Sequence, residues 1–98
     1  MDPTFTLKAK VWLWSADKAA WHFITIPKDL SSEIKGFNEG PRKGFGSVPV
    51  KVTIGSTTWK TSIFPEKKGT YVLPLRAVVR KKEKIAEGDT VQVRIALQ

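Results

Sequence analysis

Residues 71 to 97 read YVLPLRAVVRKKEKIAEGDTVQVRIAL, and this stretch decides the fold. A short apolar run ends at Pro74, whose fixed φ suits the first turn of a helix. Apolar side chains then recur at helical spacing up to about Lys84. After the turn signal of Gly88 and Asp89, apolar and polar residues alternate over 90–97, as in a half-buried strand. The stretch therefore predicts a strand, a short helix and a final strand.

The same signals extend through the rest of the chain. Alternation of period two predicts strands over residues 5–14, 48–54 and 57–64, and aromatic and β-branched residues predict another over 21–26. A short helix is expected over residues 27–36, between a proline and a glycine. The predicted order is β-β-α-β-β-β-α-β. So many short strands favour a small, mainly β barrel with two short α-helices, because closure leaves no exposed strand edges.

Two stretches repeat one pattern of strand, proline and amphipathic helix. They read FITIPKDL from Phe23 and YVLPLR from Tyr71, and the second continues into IAEGDTVQV from Ile85. This order resembles the half-barrel of AbrB and MazE type bacterial transcription factors, in which two chains supply the two halves of one barrel. The resemblance implies that one chain here carries both halves.

A closer resemblance rests on several motifs together. They are GFGSVPV from Gly44, TWKTSIFP from Thr58, YVLPLR from Tyr71 and VRK from Val79, with the strand before Pro27 in support. On these motifs nearly the whole chain resembles the bacterial domain-of-unknown-function family 1905. The resemblance implies a double-split β-barrel and leaves the biochemical role open.

Composition limits the classes of function. The chain has 98 residues, enough for one domain over residues 1–98, and no apolar stretch reaches the roughly 18 residues of a membrane span. It has no cysteine and one histidine, which excludes disulfides, a thiol nucleophile and metal sites built from nitrogen and sulfur ligands. No signal-peptide layout opens the sequence, which predicts a cytoplasmic protein without a membrane partner.

Catalytic candidates are few. His22 is predicted to lie within a strand, and the sequence places no carboxylate or nucleophile beside it. Ser62 has no Gly-x-Ser-x-Gly turn around it, and the glycine-rich loop over residues 36–46 lacks the Gly-Lys-Ser/Thr ending of a phosphate-binding loop. We therefore expect no enzyme, no cofactor and no metal, in a chain that is a monomer or a weak homodimer.

The basic charge is concentrated in the middle of the chain. The net charge is +8, and residues 40–84 carry eleven basic and two acidic residues, a net +9. An anionic partner such as nucleic acid would meet a candidate set of six residues, Arg42, Lys43, Arg76, Arg80, Lys81 and Lys84. Spacing by four residues predicts one helix face for Arg76, Arg80 and Lys84. The alternative is a solvated face whose cations are stabilised by the helix dipole.

The tryptophans indicate a second candidate site. Trp12 and Trp14 lie on one side of the first strand, opposite an aliphatic side, so one of the two faces needs an explanation. Either the core and a helix or loop cover both faces, or the aromatic face is a platform for a planar ligand, an unpaired base or a peptide. The candidate ligand pocket at the barrel mouth comprises Trp12, Trp14, Trp21, Trp59 and Tyr71. Arg76 or Arg80 would anchor a carboxylate or phosphate of that ligand.

Overall fold

The computed structural model describes residues 3–37 and 46–98 of the protein. Its elements follow the order β-β-α-β-β-β-α-β, which confirms the prediction. The elements are β1 (Thr4–Ala16), β2 (Ala19–Ile26), α1 (Lys28–Phe37), β3 (Val48–Ile54), β4 (Thr57–Pro65), β5 (Tyr71–Leu75), α2 (Ala77–Glu83) and β6 (Thr90–Leu97).

The six strands close into a barrel in the order β1-β2-β5-β4-β3-β6, and all neighbouring pairs are antiparallel. Residues 4–10 of β1 pair with β6, and residues 11–16 pair with β2. Strand β4 is divided similarly, with residues 57–63 on β3 and residues 64–65 on β5. The barrel therefore has two sheets that share β1 and β4. Sheet I has the strand order β1-β6-β3-β4, and sheet II has the strand order β1-β2-β5-β4.

The topology repeats after three strands. The β1–β2 pair matches the β4–β5 pair, and the β1–β6 pair matches the β4–β3 pair. The remaining pairs, β2–β5 and β3–β6, join equivalent strands of the two halves. A pseudo-twofold axis therefore passes between β2 and β5 in the middle of sheet II. This agrees with the repeated pattern of strand, proline and helix in the sequence.

Inward-facing side chains fill the barrel. Alternate residues of β3 and β6 are buried, and the central ones, Val50, Val52, Val93 and Ile95, are fully inaccessible. Helix α1 follows β2 and adds Ile34 to the core, and α2 follows β5 and buries Val79. Because β2 and β5 are antiparallel, the two helices lie at opposite ends of sheet II.

Pro74 does not begin a helix, contrary to the prediction. Strand β5 continues through Pro74, which lies opposite Phe23, as far as Leu75. Leu75 is only 4% exposed, so extending the strand buries one more inward-facing side chain. Helix α2 begins at Ala77, after Arg76 in an extended conformation.

A buried serine connects α1 to both central strands of sheet II. The Ser31 hydroxyl donates a hydrogen bond to the Ile26 carbonyl oxygen at 2.9 Å and accepts one from the Tyr71 N–H at 3.0 Å. Ser31 is only 1% exposed, so water cannot replace either partner. This side chain therefore holds the start of β5 against the end of β2.

Replacing Ser31 tests this connection. We expect Ser31→Ala to lower the free energy of unfolding by about 1–3 kcal/mol, because the Tyr71 N–H and the Ile26 carbonyl oxygen would both lose a buried hydrogen bond. The matched control is Ser32→Ala on the exposed side of α1, for which we expect a change within about 0.5 kcal/mol. Urea unfolding measures both. Equal effects of the two substitutions would contradict this role of Ser31.

Candidate functional site

A groove of about 500 Å³ lies on the outer face of sheet II. Residues directly opposite each other on neighbouring strands share a face, and the register places Phe23 between Trp12 and Pro74. The same rule places Phe64 beside Val72. The groove is lined by Trp12, Trp14, Trp21, Phe23, Phe64, Glu66, Val72 and Pro74.

Three aromatic side chains form the exposed part of the groove. Trp14 is 48% exposed, Trp21 is 52% exposed and Phe64 is 44% exposed. The remaining aromatic and apolar residues that line the groove are half-buried, and they form its base. Outward positions on a small barrel are usually polar, and clustered large apolar side chains on a surface mark interaction sites. The groove therefore has the character of a binding surface.

The base of the groove is held in place by specific contacts. The indole Nε1–H of Trp12 donates a hydrogen bond to the Thr25 hydroxyl at 2.8 Å. The centroid of the Phe23 ring lies 5.0 Å from that of Trp12 and 6.4 Å from that of Trp21. The rings of Phe23 and Trp21 stack, with an angle of 16° between their planes. These contacts order the rings before a ligand arrives, which lowers the entropy cost of binding.

Glu66 is the only charged side chain among the described residues that line the groove. The Glu66 side-chain Oε1 accepts a hydrogen bond from the Thr70 hydroxyl at 2.8 Å. The backbone N–H of Glu66 donates a hydrogen bond to the Thr70 carbonyl oxygen. Glu66 also lines a neighbouring pocket of about 260 Å³, together with Lys35. One end of an aromatic groove therefore carries a fixed carboxylate.

The two halves of the barrel contribute different chemistry to the groove. Strands β1 and β2 supply three tryptophans and Phe23, strands β4 and β5 supply Phe64, Val72 and Pro74, and the loop after β4 supplies Glu66. Trp21 lies beyond the pair of His22 and Leu75, at one end of sheet II, and Glu66 lies beyond the pair of Pro65 and Tyr71, at the other end. The groove crosses the pseudo-twofold axis, so it has one aromatic end and one acidic end.

The structure brings together three of the five residues of the predicted ligand pocket. Trp12, Trp14 and Trp21 line the groove. Trp59 lies opposite Val52 and packs against the core, and its Nε1–H has no partner within the described ranges. Tyr71 is buried and borders a separate pocket of about 260 Å³. The groove thus lies on the outer face of the barrel, whereas the sequence prediction placed the pocket at its mouth.

Five residues of the groove were not in the predicted pocket, namely Phe23, Phe64, Glu66, Val72 and Pro74. Phe23 could have been found, because it alternates with Trp21 on the same strand. The residues from β4 and β5 carry no such signal, because only the pairing of distant strands brings them to this face.

Comparison with known families supports the closer of the two resemblances. The family model described as Domain of unknown function (DUF1905) matches residues 7–95. The chain belongs to the DUF1905 family. No curated protein matches the sequence. Neither helix that the structure describes in this DUF1905 domain is long and apolar enough to cross a membrane.

The predicted basic surface of the DUF1905 domain does not form one helical stripe. Arg76 precedes α2, and Lys84 follows it with a left-handed backbone, at a φ of 55°. Arg80 is half-buried, and its Nε–H donates to the Leu75 carbonyl oxygen at 3.3 Å. Arg76, Lys81 and Lys84 are exposed. Arg42 and Lys43 lie outside the described residues.

Helix α2 is attached to the barrel by its one acidic residue. The Glu83 carboxylate accepts hydrogen bonds from the hydroxyls of Ser56, in the turn between β3 and β4, and of Thr57, the first residue of β4. The hydrogen bond from Thr57 is the main cause that lowers the pKa of Glu83. Glu83 therefore fixes the helix around which Arg76, Lys81 and Lys84 lie.

His22 lies away from the groove of the DUF1905 domain, opposite Leu13 and Leu75. Burial lowers the pKa of His22, and Arg80 lowers it further against the opposing effect of Glu87. Its Nδ1 is buried and has no partner among the described side chains and backbone groups. Within residues 3–37 and 46–98, no three His, Asp or Glu side chains are placed to hold a metal ion.

Proposed function

We propose that this DUF1905 domain is a cytoplasmic, non-catalytic binding module, and that the groove on the outer face of sheet II is its binding site. The supporting observation is the group of three half-exposed aromatic side chains, Trp14, Trp21 and Phe64, above an ordered apolar base. A ligand that covers these rings removes apolar surface from water, which favours binding. The volume of about 500 Å³ is within the range of small-molecule sites.

Binding to the aromatic surface alone is weak. Covering the exposed parts of the three rings removes roughly 300 Å² of apolar surface, which contributes about 7 kcal/mol at 25 cal/mol per Å². Association costs about 4 kcal/mol or more in translational and rotational freedom. The difference corresponds to dissociation constants in the millimolar range. A tighter ligand must therefore also make a polar contact, and Glu66 is the charged group that the groove offers.

The first test uses indole as a neutral planar probe. We expect saturation-transfer difference NMR to detect indole bound to the wild-type protein, and we expect Trp14→Ala combined with Trp21→Ala to reduce the signal at least about fivefold, because the exposed rings are removed. Phe64→Ala, on the opposite side of the groove, should also weaken binding.

Val78→Ser is the matched control for this test. Val78 is 75% exposed on α2, away from the groove, so we expect the variant to bind indole like the wild type. Amide spectra of each variant verify the fold. Undiminished indole binding by folded groove variants would contradict the proposal.

A second candidate function is contact with an anionic partner such as nucleic acid. It is supported by the exposure of Arg76, Lys81 and Lys84 around α2 and by the net +9 of residues 40–84. Arg80 contributes less, because its guanidinium is already hydrogen-bonded to the backbone. This surface would position a phosphate backbone without reading its sequence.

Salt dependence tests the second candidate. If three exposed cations each neutralise one phosphate of a labelled DNA duplex, the slope of log affinity against log salt should be about −3. We expect Lys81→Glu with Lys84→Glu to abolish binding, and Lys60→Glu on exposed β4 surface to reduce it much less. Absence of binding at low salt, or equal losses in both variants, would eliminate this candidate.

A further inference from the structure

The outer face of sheet I differs from the groove in its chemistry. Within the strands that the structure describes, its outward positions carry no carboxylate and no aromatic side chain. They carry exposed cations on all four strands, namely Lys8, Lys10, Lys51, Lys60 and Arg94. A solvated protein surface usually mixes charges of both signs. This face therefore has positive charge without a negative group beside it.

A polar pocket of about 340 Å³ lies on this face. Arg94 belongs to β6, and the strand registers place Thr6 of β1 and Thr53 of β3 directly opposite it on its two sides. The pocket is lined by Thr6, Thr53, Gly55, Gln92 and Arg94. The hydroxyl, amide and guanidinium groups of these side chains can all donate hydrogen bonds. The pocket therefore suits a polar ligand that accepts them.

Two lysines are diagonal neighbours of Arg94. Lys8 lies on β1 opposite Gln92. Lys51 lies on β3 opposite Ala96. Diagonal neighbours are about 7–8 Å apart, within reach of long side chains. Three positive charges at this spacing repel one another, and an anion bound between them would offset the repulsion.

One carboxylate lies close to the pocket. A β-carbon at Gly55 would meet the Glu83 carboxylate, so this group lies beside the Gly55 end. Glu83 accepts hydrogen bonds from the hydroxyls of Ser56 and Thr57. An anion is repelled at the Gly55 end and attracted at Arg94, whereas a neutral hydroxyl is tolerated at both. The pocket therefore favours a ligand with one anionic end and one neutral, polar end.

We infer that this sheet I pocket binds a small phosphate monoester of a sugar or another polyol. The phosphate lies against the Arg94 guanidinium, whose fork of N–H groups matches two phosphate oxygens, with the hydroxyls of Thr6 and Thr53 on either side. A monoester carries a charge of about −1.5 to −2 at pH 7, which suits three nearby cations better than the single charge of a diester or carboxylate.

The size and lining of the pocket account for the rest of the ligand. A volume of about 340 Å³ exceeds that of a phosphate group alone, so it leaves room for the polyol. No aromatic side chain lines the pocket to stack on a nucleobase, whereas its hydroxyl and amide groups can bond to the hydroxyls of a polyol. This site lies outside the groove on sheet II and does not depend on the proposed function.

The test titrates the ¹⁵N-labelled protein with glucose 6-phosphate, glucose and inorganic phosphate, followed by amide chemical shifts. We expect the shifts with glucose 6-phosphate to be largest at Thr6, Thr53 and Arg94. Its dissociation constant should be at least about threefold lower than that of inorganic phosphate, because the polyol adds contacts, and glucose alone should not bind measurably.

Substitutions in the pocket should weaken this binding. Arg94→Gln should raise the dissociation constant of glucose 6-phosphate at least about tenfold, because the bidentate, charge-assisted contact is lost. Lys8→Gln combined with Lys51→Gln should raise it about threefold. Lys18→Gln is the matched control, since it removes one charge in the exposed turn between β1 and β2, and we expect it to bind like the wild type. Amide spectra verify the fold of each variant.

The outcomes separate a built site from a general attraction to positive charge. Equal losses from Arg94→Gln and Lys18→Gln, or shifts that avoid the residues around Arg94, would overturn the inference. Inorganic phosphate that binds as tightly as glucose 6-phosphate would overturn the assignment to a polyol. A single-stranded oligothymidine that shifts the same amides with a lower dissociation constant would overturn the assignment to a small molecule. Indole binding to the groove should be the same in Arg94→Gln and the wild type.

Discussion

Closure of the barrel through β1 is the constraint on which the rest of the structure depends. One half of this strand pairs with β6 and the other with β2, and its alternate side chains Phe5, Leu7 and Val11 are buried in the common interior. The helices lie at the ends of sheet II, and no helix residue lines the groove in the part of the chain that the structure describes. The outer face of sheet II is therefore accessible, and the aromatic residues on it can meet a ligand.

Local sequence patterns were sufficient for the elements and their order, because alternation and helical spacing depend on neighbouring residues. They were insufficient where strand pairing decides the outcome. Tyr71 and Val72 are both apolar, and only the pairing of β5 with β2 and β4 turns Tyr71 inward and Val72 into the groove. The sequence prediction also missed Glu66, because only the pairing of distant strands forms the groove that Glu66 lines.

The pseudo-twofold frame explains how one small domain obtains an asymmetric site. The two halves share strand order, yet the first half contributes three tryptophans to the groove and the second contributes Glu66 and no tryptophan. The net charge of +8 is a poor guide to this groove, because the exposed cations of Arg76, Lys81 and Lys84 lie around α2. The two candidate surfaces are separate, one mainly aromatic and the other basic.

The four tryptophans provide the most direct test of the claim that the groove is the binding site. Each indole N–H gives one cross-peak in a ¹H–¹⁵N spectrum, and Trp59 is an internal control because it packs against the core outside the groove. During a titration of the ¹⁵N-labelled protein with unlabelled indole we predict that the peaks of Trp14 and Trp21 shift most, that Trp12 shifts less because Thr25 holds its N–H, and that Trp59 does not move. Shifts concentrated on Trp59, or no shift at any indole, would contradict the account.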